Sequence, residues 1–410
     1  MRMVLFSLPV IAVIFLFQAC DEGIPGEYVI ADGVPTVYYI RMSDPQSADS
    51  LIVAAYMDNT ICLIGDNLNS IHEIYFNDQK AILNNSLITK NTLFVNIPKN
   101  IPEVVTNKIY MISGSGDTVD YDFSVLVPAP IIVSISCEYA HDGDAATLYG
   151  DYFIDDTSSP LTITMAGNIP VTEITSVSKQ QVSFVIPEGA QKGYINVKSM
   201  YGTSRSKFQF RDDRGIILDY DILTTSGSWR GGLIANDENS LDGNYLILRG
   251  EVDDNVGAED YTNGGFVSEL WSDANGRTEG NFFDGDVADF QLKFEANVIN
   301  WSGAYLNICF GPWGSSVAPY QNQLYWSDIN ARGLWRPWEN TSTGSFKSNG
   351  WITVTIPMKD IKYNKDFDTM EFDKSLAGSL SLWMKGPAAT SGGKCIMEVY
   401  FDNIRIVPAE

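Results

Sequence analysis

A chain of 410 residues, 45% hydrophobic and 19% charged, has the composition of a folded protein rather than a disordered one. Its 51 acidic and 27 basic residues leave a net charge of −24, which argues against a nucleic-acid or anionic-lipid surface, since neutralising phosphates needs Lys and Arg in excess. Two histidines, His72 and His141, far from any cysteine cluster, argue equally against a zinc site or a Ser-His-Asp triad.

The chain opens with Arg2, an apolar run over residues 4–17, and Ala19 directly before Cys20. This run is a secretory signal, because it is too short and wrongly flanked for a membrane span of about 20 residues. A cysteine at the cleavage point resembles the bacterial lipoprotein box, with Phe17 standing where that box usually has Leu. The resemblance implies removal of residues 1–19, lipidation of Cys20 and a flexible tether over 20–32. Asp21 and Glu22 resemble the signal that sends Bacteroidota lipoproteins to the outer face of the outer membrane. The lipid is then the expected membrane anchor, as no other stretch is long and apolar enough to span.

Beyond the tether, short Val/Ile/Phe/Tyr runs alternate with Gly, Asn, Asp and Pro, and no sustained 3.6-residue stripe appears. The expected fold class is all-β. An internal repeat occupies the first half. One copy runs from Pro35 (PTVYYI) through ICLIGDNL around Gly65 to FVNIP at Pro98. The other runs from Pro130 (PIIVSI) through ATLYGDYF around Gly150 to FVIP at Pro187. Two copies about ninety residues apart predict tandem immunoglobulin-like sandwiches at 33–128 and 129–212. Their openings, L-x-G-D turns and I-P pairs look like the TIG (IPT) branch of that fold. The prolines at Pro128 and Pro130 leave the join little freedom.

The remaining block, 213–410, carries all nine tryptophans: Trp229, Trp271, Trp301, Trp313, Trp326, Trp335, Trp338, Trp351 and Trp383. Spacers need no tryptophan, whereas a sugar-stacking surface does. Period-two alternation assigns Phe290, Leu292, Phe294, Ala296 and Val298 to a core, with Gln291, Lys293, Glu295 and Asn297 on a polar outer face. Leu306, Ile308 and Phe310, then Ile352, Val354 and Ile356, then Leu380, Leu382 and Met384 also point inward. Cys395 falls inward with Met397, Val399 and Phe401, opposite in sense to Cys309, so a bond between those two is not expected. With Cys62 and Cys137, the four mature cysteines read as buried thiols.

The segment 311–339 interleaves Trp313, Tyr320, Tyr325, Trp326, Trp335 and Trp338 with Asn322, Gln323, Asn330, Arg332, Arg336 and Glu339. Carbohydrates stack C–H patches on aromatic rings and pair their hydroxyls with amides and charged groups. One ring supplies on the order of 1–3 kcal/mol on the base-stacking scale, while micromolar to millimolar binding needs about 4–8 kcal/mol, hence several rings. The expected glycan site is Trp313, Tyr325, Trp326, Trp335 and Trp338, with Arg336 and Glu339 bonding hydroxyls and Trp301 extending the platform from a loop tip. Trp351 and Trp383, with Glu295, Asn307 and Lys385, form a second candidate surface. Trp271 reads equally as core or ligand.

DFQLKFEANV, GLWRPWENT followed by GWITVTIP, and the closing VYFDNIRIVP resemble the C-terminal glycan-binding domain of surface glycan-binding proteins of gut Bacteroidota. Lipidated cysteine, Ig-like spacers and a terminal sandwich match that family's layout over the whole chain. The resemblance implies a jelly-roll-type carbohydrate-binding β-sandwich that captures polysaccharide at the cell surface for an outer-membrane importer, beside companion glycan-binding lipoproteins. It implies no cofactor and no catalysis.

A glycoside hydrolase is the alternative. Such enzymes generally need two suitably spaced carboxylates, and the run Glu251-Val252-Asp253-Asp254-Asn255 puts Asn255 where the second glutamate of a jelly-roll endoglucanase strand belongs. Glu279, Asp284, Asp286 and Glu295 offer no selecting spacing. A structural or adhesive surface protein would leave the tryptophans without a role. Asp253, Asp254 and Asp260 could also take calcium, a hard cation preferring oxygen ligands.

Overall fold

Gly65 and Gly150 occupy one position in two copies of one sandwich. In the computed structural model, which describes residues 33–225, 232–252, 267–270, 277–314, 328–385 and 395–409, each glycine pairs across an antiparallel ladder with the residue preceding a β-bulge, Val37 in one copy and Ile132 in the other. A Cβ on Gly65 would lie 1.9 Å from the Thr36 carbonyl oxygen, and one on Gly150 would lie 1.8 Å from that of Ile131. The repeat keeps glycine because the neighbouring backbone fills the side-chain space. Two residues on, Asn67 and Tyr152 both take the left-handed conformation, at φ 56° and 57°.

In the first copy the strands Thr36–Met42, Thr60–Asp66 and Thr92–Asn96 form one sheet; Gln79–Lys80, Ile71–Phe76, Lys108–Ser113 and Thr118–Asp122 form the other. Ile40, Leu63, Leu93, Ile74, Phe76 and Met111 fill the space between them. In the second copy one sheet runs in the order Ile131–Ile135, Ala145–Asp151, Gln181–Val185, Ile174–Val177. The facing sheet runs Ile169–Pro170, Thr162–Ala166, Gln191–Ser199, Gly202–Arg205. Leu148, Ile163, Phe184, Ile195, Phe208 and Phe210 form its core. The fold is all-β, and the helices among the described residues are three-residue 3₁₀ turns. No helix among them is long and apolar enough to cross a membrane.

The C-terminal sandwich sets Tyr245–Val252, Cys395–Pro408, Phe290–Ser302 and Trp351–Pro357 in one sheet against Val267–Leu270, Ser379–Lys385, Tyr305–Gly311 and Arg332–Trp335 in the other. Leu292, Phe294, Ala296, Val298, Leu306, Ile308, Phe310, Leu380, Leu382 and Met384 are buried between the sheets, with Ile352, Val354 and Ile356 packed against them. Cys395 lies in this core, and all four described cysteines are buried.

Residues up to Val127 form one compact unit and those from Pro128 onward another. The second Ig-like sandwich and the C-terminal sandwich therefore share a unit, and the polar face expected to be solvated is their seam. Lys293 and Arg405 pair directly across two strands, a repulsive arrangement for like charges. Glu138 of the second sandwich enters between them. It accepts from Lys293 Nζ at 2.7 Å and from Arg405 Nη2 at 2.7 Å, and Arg405 Nη2 also donates to Glu295 at 2.9 Å. Thr353 joins the two layers: its N–H donates to the Ser136 carbonyl, while its Oγ1 accepts from Glu138 N–H and donates to Glu295. Lys293 and Glu295 are 2% and 0% exposed, which corrects their expected place on a free outer face. Leu241 completes the seam by burying itself in the second sandwich's core.

Candidate functional site

The strand Phe290–Ser302 runs four residues past Val298, where the alternation read from the sequence ends, and Trp301 lies inside it. Its ring is fully buried and donates from Nε1 to the Ala304 carbonyl at 2.6 Å. The expectation that Trp301 sits at a loop tip and extends a platform is thus corrected, since a ring without exposed surface has no face for a sugar. Trp335 meets Trp301 edge to face at 4.9 Å between centroids, and also meets Phe294 at 5.2 Å. Such pairs add about 0.5–1.5 kcal/mol beyond area burial. Trp338 donates its own Nε1–H to Ala304 O at 2.5 Å. Three of the tryptophans therefore converge on the turn joining Phe290–Ser302 to Tyr305–Gly311. Trp335 and Trp338 remain half-buried, each with part of its surface open.

Arg336 and Glu339 flank these rings in one turn, closed by Glu339 N–H donating to the Arg336 carbonyl at 3.1 Å. Their side chains form a half-exposed ion pair at 3.3 Å. Polar groups held this way beside two indoles suit sugar hydroxyls.

Trp313 lies elsewhere. It follows the far end of Tyr305–Gly311, so at roughly 3.4 Å per residue it stands about 20 Å along the strand from the Ala304 turn. It is half-exposed, with the Arg277 guanidinium 5.3 Å from its ring and 3.9 Å from that of Phe282. Burial pushes Arg277 down to about 10, leaving it a cation at neutral pH. Trp313 and Trp338 cannot touch the same sugar unit. Tyr325, Trp326, Trp229, Trp271 and Cys20 lie outside the described residues.

The second candidate surface does not form. Trp351 belongs to one sheet and Trp383 to the other, and both point away from the shared core, so they occupy opposite outer faces. Trp383, Glu295 and Asn307 are 0%, 0% and 2% exposed. Trp351 is half-exposed, donates to Asn239 O at 2.9 Å and packs edge to face on Tyr245 at 5.8 Å.

Sequence reading passed over Phe367. This ring is 44% exposed, sits at φ 69° and meets Tyr305 edge to face at 5.2 Å. Its loop is tied down by Asn364 Oδ1, which accepts from the N–H groups of Asp366 and Asp368, and by Lys365 N–H donating to Asp328. A bulky residue in the left-handed region is a genuine outlier, and the alternating Asn and Asp of NKDFD were its signal. Among the described residues no His, Cys, Asp and Glu group could hold a metal ion; Asp253, Asp254 and Asp260 lie outside them.

Tandem Ig-like sandwiches ahead of a β-sandwich with fixed, half-exposed indoles have the layout of a carbohydrate-binding protein. The family model for the surface glycan-binding protein B xyloglucan binding domain matches residues 210–408. The solved structure of the surface glycan-binding protein PbSGBP-B from Prevotella bryantii is 32% identical, covering 92% of this chain and 99% of its own with a TM-score of 0.72. An IPT/TIG domain-containing protein of Bacteroides ovatus is 22% identical over 464 residues, 92% of this chain and 93% of its own. The chain belongs to the surface glycan-binding protein B family, and its function is to bind glycan at the cell surface.

Proposed function

We propose that the glycan is a xyloglucan-class polysaccharide, held without catalysis across the aromatic segment 311–339 of the C-terminal sandwich. The match of residues 210–408 to a xyloglucan-binding domain carries this reading. Trp338 and Trp335, with Arg336 and Glu339, hold one end of the polymer, and Trp313 beside Arg277 holds another; the distance between them suits a chain rather than a single sugar. Tyr325 and Trp326 complete the platform. The 33–128 sandwich is a spacer, the protein is anchored to the outer membrane through Cys20, and it passes polysaccharide to an outer-membrane importer working with companion lipoproteins. Glu295, one of the carboxylates a hydrolase could use, is buried and bonded to Arg405 and Thr353, which supports a binding role.

The test is affinity electrophoresis of the full chain in gels cast with xyloglucan, paired with a reducing-end assay on the same polymer. Retardation with constant reducing ends is expected. Reducing ends rising in proportion to protein would overturn the non-catalytic reading, and free migration in xyloglucan would overturn the ligand class.

A further inference from the structure

The seam between the second Ig-like sandwich and the C-terminal sandwich opens on one side into a cleft of about 820 Å³. Ligand pockets run from about 300 to 1,000 Å³. It is lined by Tyr149 and Ser183 of the second Ig-like sandwich and by Trp351, Asn349, Asn239 and Asn297 from the C-terminal block. We propose that this cleft is a second glycan-binding site, distinct from the aromatic segment.

Three observations carry it. First, the rings are open: Tyr149 is 39% exposed and Trp351 half-exposed, although both lie in a junction that elsewhere buries even charged side chains. The Trp351 indole is held by Asn239 O, so its plane is set before any ligand arrives. Second, alongside His141, Asp144, Glu238 and Lys347 the lining supplies the amides of Asn239, Asn297 and Asn349 and the hydroxyl of Ser183, the partners of sugar hydroxyls. A chain of net charge −24 disfavours an anionic ligand. Third, the walls do not move independently. Ser136 on the cleft wall accepts from Thr353 N–H, and next to it Glu138 is locked to Lys293 and Arg405. A preformed cleft avoids the ordering cost that weakens binding to mobile surfaces.

The proposal rests on the chain being a glycan-binding protein and not on where the first site lies. Hydrogen exchange on the full chain tests it, with and without saturating xyloglucan oligosaccharide, mixed-linkage glucan oligosaccharide or mannan oligosaccharide. With at least one of them, peptides covering 136–149 and 346–352 should gain protection. That protection should be lost in Tyr149→Ala/Asn349→Ala, whose melting temperature reports that the fold is kept. Protection at 328–345 alone overturns the second site and leaves the first reading standing. Protection at the seam alone supports the second site and overturns the first reading. Unchanged seam exchange with all three glycans overturns the proposal, as does protection that survives the double substitution.

Discussion

Trp301 and Trp338 donate their indole N–H groups to the same acceptor, the carbonyl oxygen of Ala304. The two residues stand on different segments, one wholly inside the sandwich and one at its rim, so one backbone atom registers the rim against the core.

Substitutions at this pair should separate stability from binding. Trp301→Ala should cost about 3–5 kcal/mol of stability, as for other fully buried large aromatics. Trp338→Phe, which keeps an aromatic ring but loses the donor, should cost about 1 kcal/mol from the lost hydrogen bond. Trp338→Ala should also weaken glycan binding by about 1–3 kcal/mol on the stacking scale. Thermal melts with calorimetry at 25 °C check all three; wild-type affinity in Trp338→Ala would remove that ring from the platform.

Glu138→Gln should destabilise the unit from Pro128 onward by about 3–5 kcal/mol, because Lys293 and Arg405 would then face each other without their shared counter-ion. Adding Lys293→Met should recover part of that loss. A double-mutant cycle with no coupling would show that the seam gains nothing from this charge pairing.

Asp402 should make stability fall as pH rises. Burial pushes its carboxyl up to about 9, against the pull of the Asn403 N–H, and Asp242 and Glu295 add to the rise. The folded chain therefore keeps a proton that the unfolded chain loses above the ordinary carboxylate range, and stability declines between about pH 4 and pH 9. At pH 7 the penalty is on the order of 4 kcal/mol at 1.36 kcal/mol per unit. Asp402→Asn should flatten that decline while leaving stability near pH 4 little changed. An equal slope in both proteins would show that Asp402 is not the titrating group.

Gly65→Ala and Gly150→Ala should each cost more than the usual 1–3 kcal/mol of overpacking, since the new methyl meets backbone oxygen rather than a movable side chain. The losses should fall in different units. Gly65→Ala should lower one calorimetric transition and leave glycan affinity intact; Gly150→Ala should lower the transition of the unit that carries the glycan site.

The apolar faces were legible in the sequence because period-two alternation is a local property: Leu292, Phe294, Ala296 and Val298 point where alternation puts them. The fate of the opposite face was not. Whether Lys293 and Glu295 meet water or another module depends on Glu138, 155 residues before Lys293, and nothing in the strand's own pattern encodes that partner. The loop-tip expectation for Trp301 fails because the strand continues through it to Ser302 before a turn at Gly303. Alternation alone does not separate Trp351 from Trp383, because it reports which side of a strand a residue takes, not which sheet the strand enters.

The Glu138 insertion also bears on how proteins of this kind can change their diet. A recombination event that exchanged residues 213–410 alone would deliver a sandwich whose buried cations meet a stranger's loop. An exchange at the Val127–Pro128 boundary carries the anion and the cations together. The heritable cassette of glycan preference in this chain is therefore the pair of sandwiches, and graft libraries aimed at new polysaccharides should be cut there.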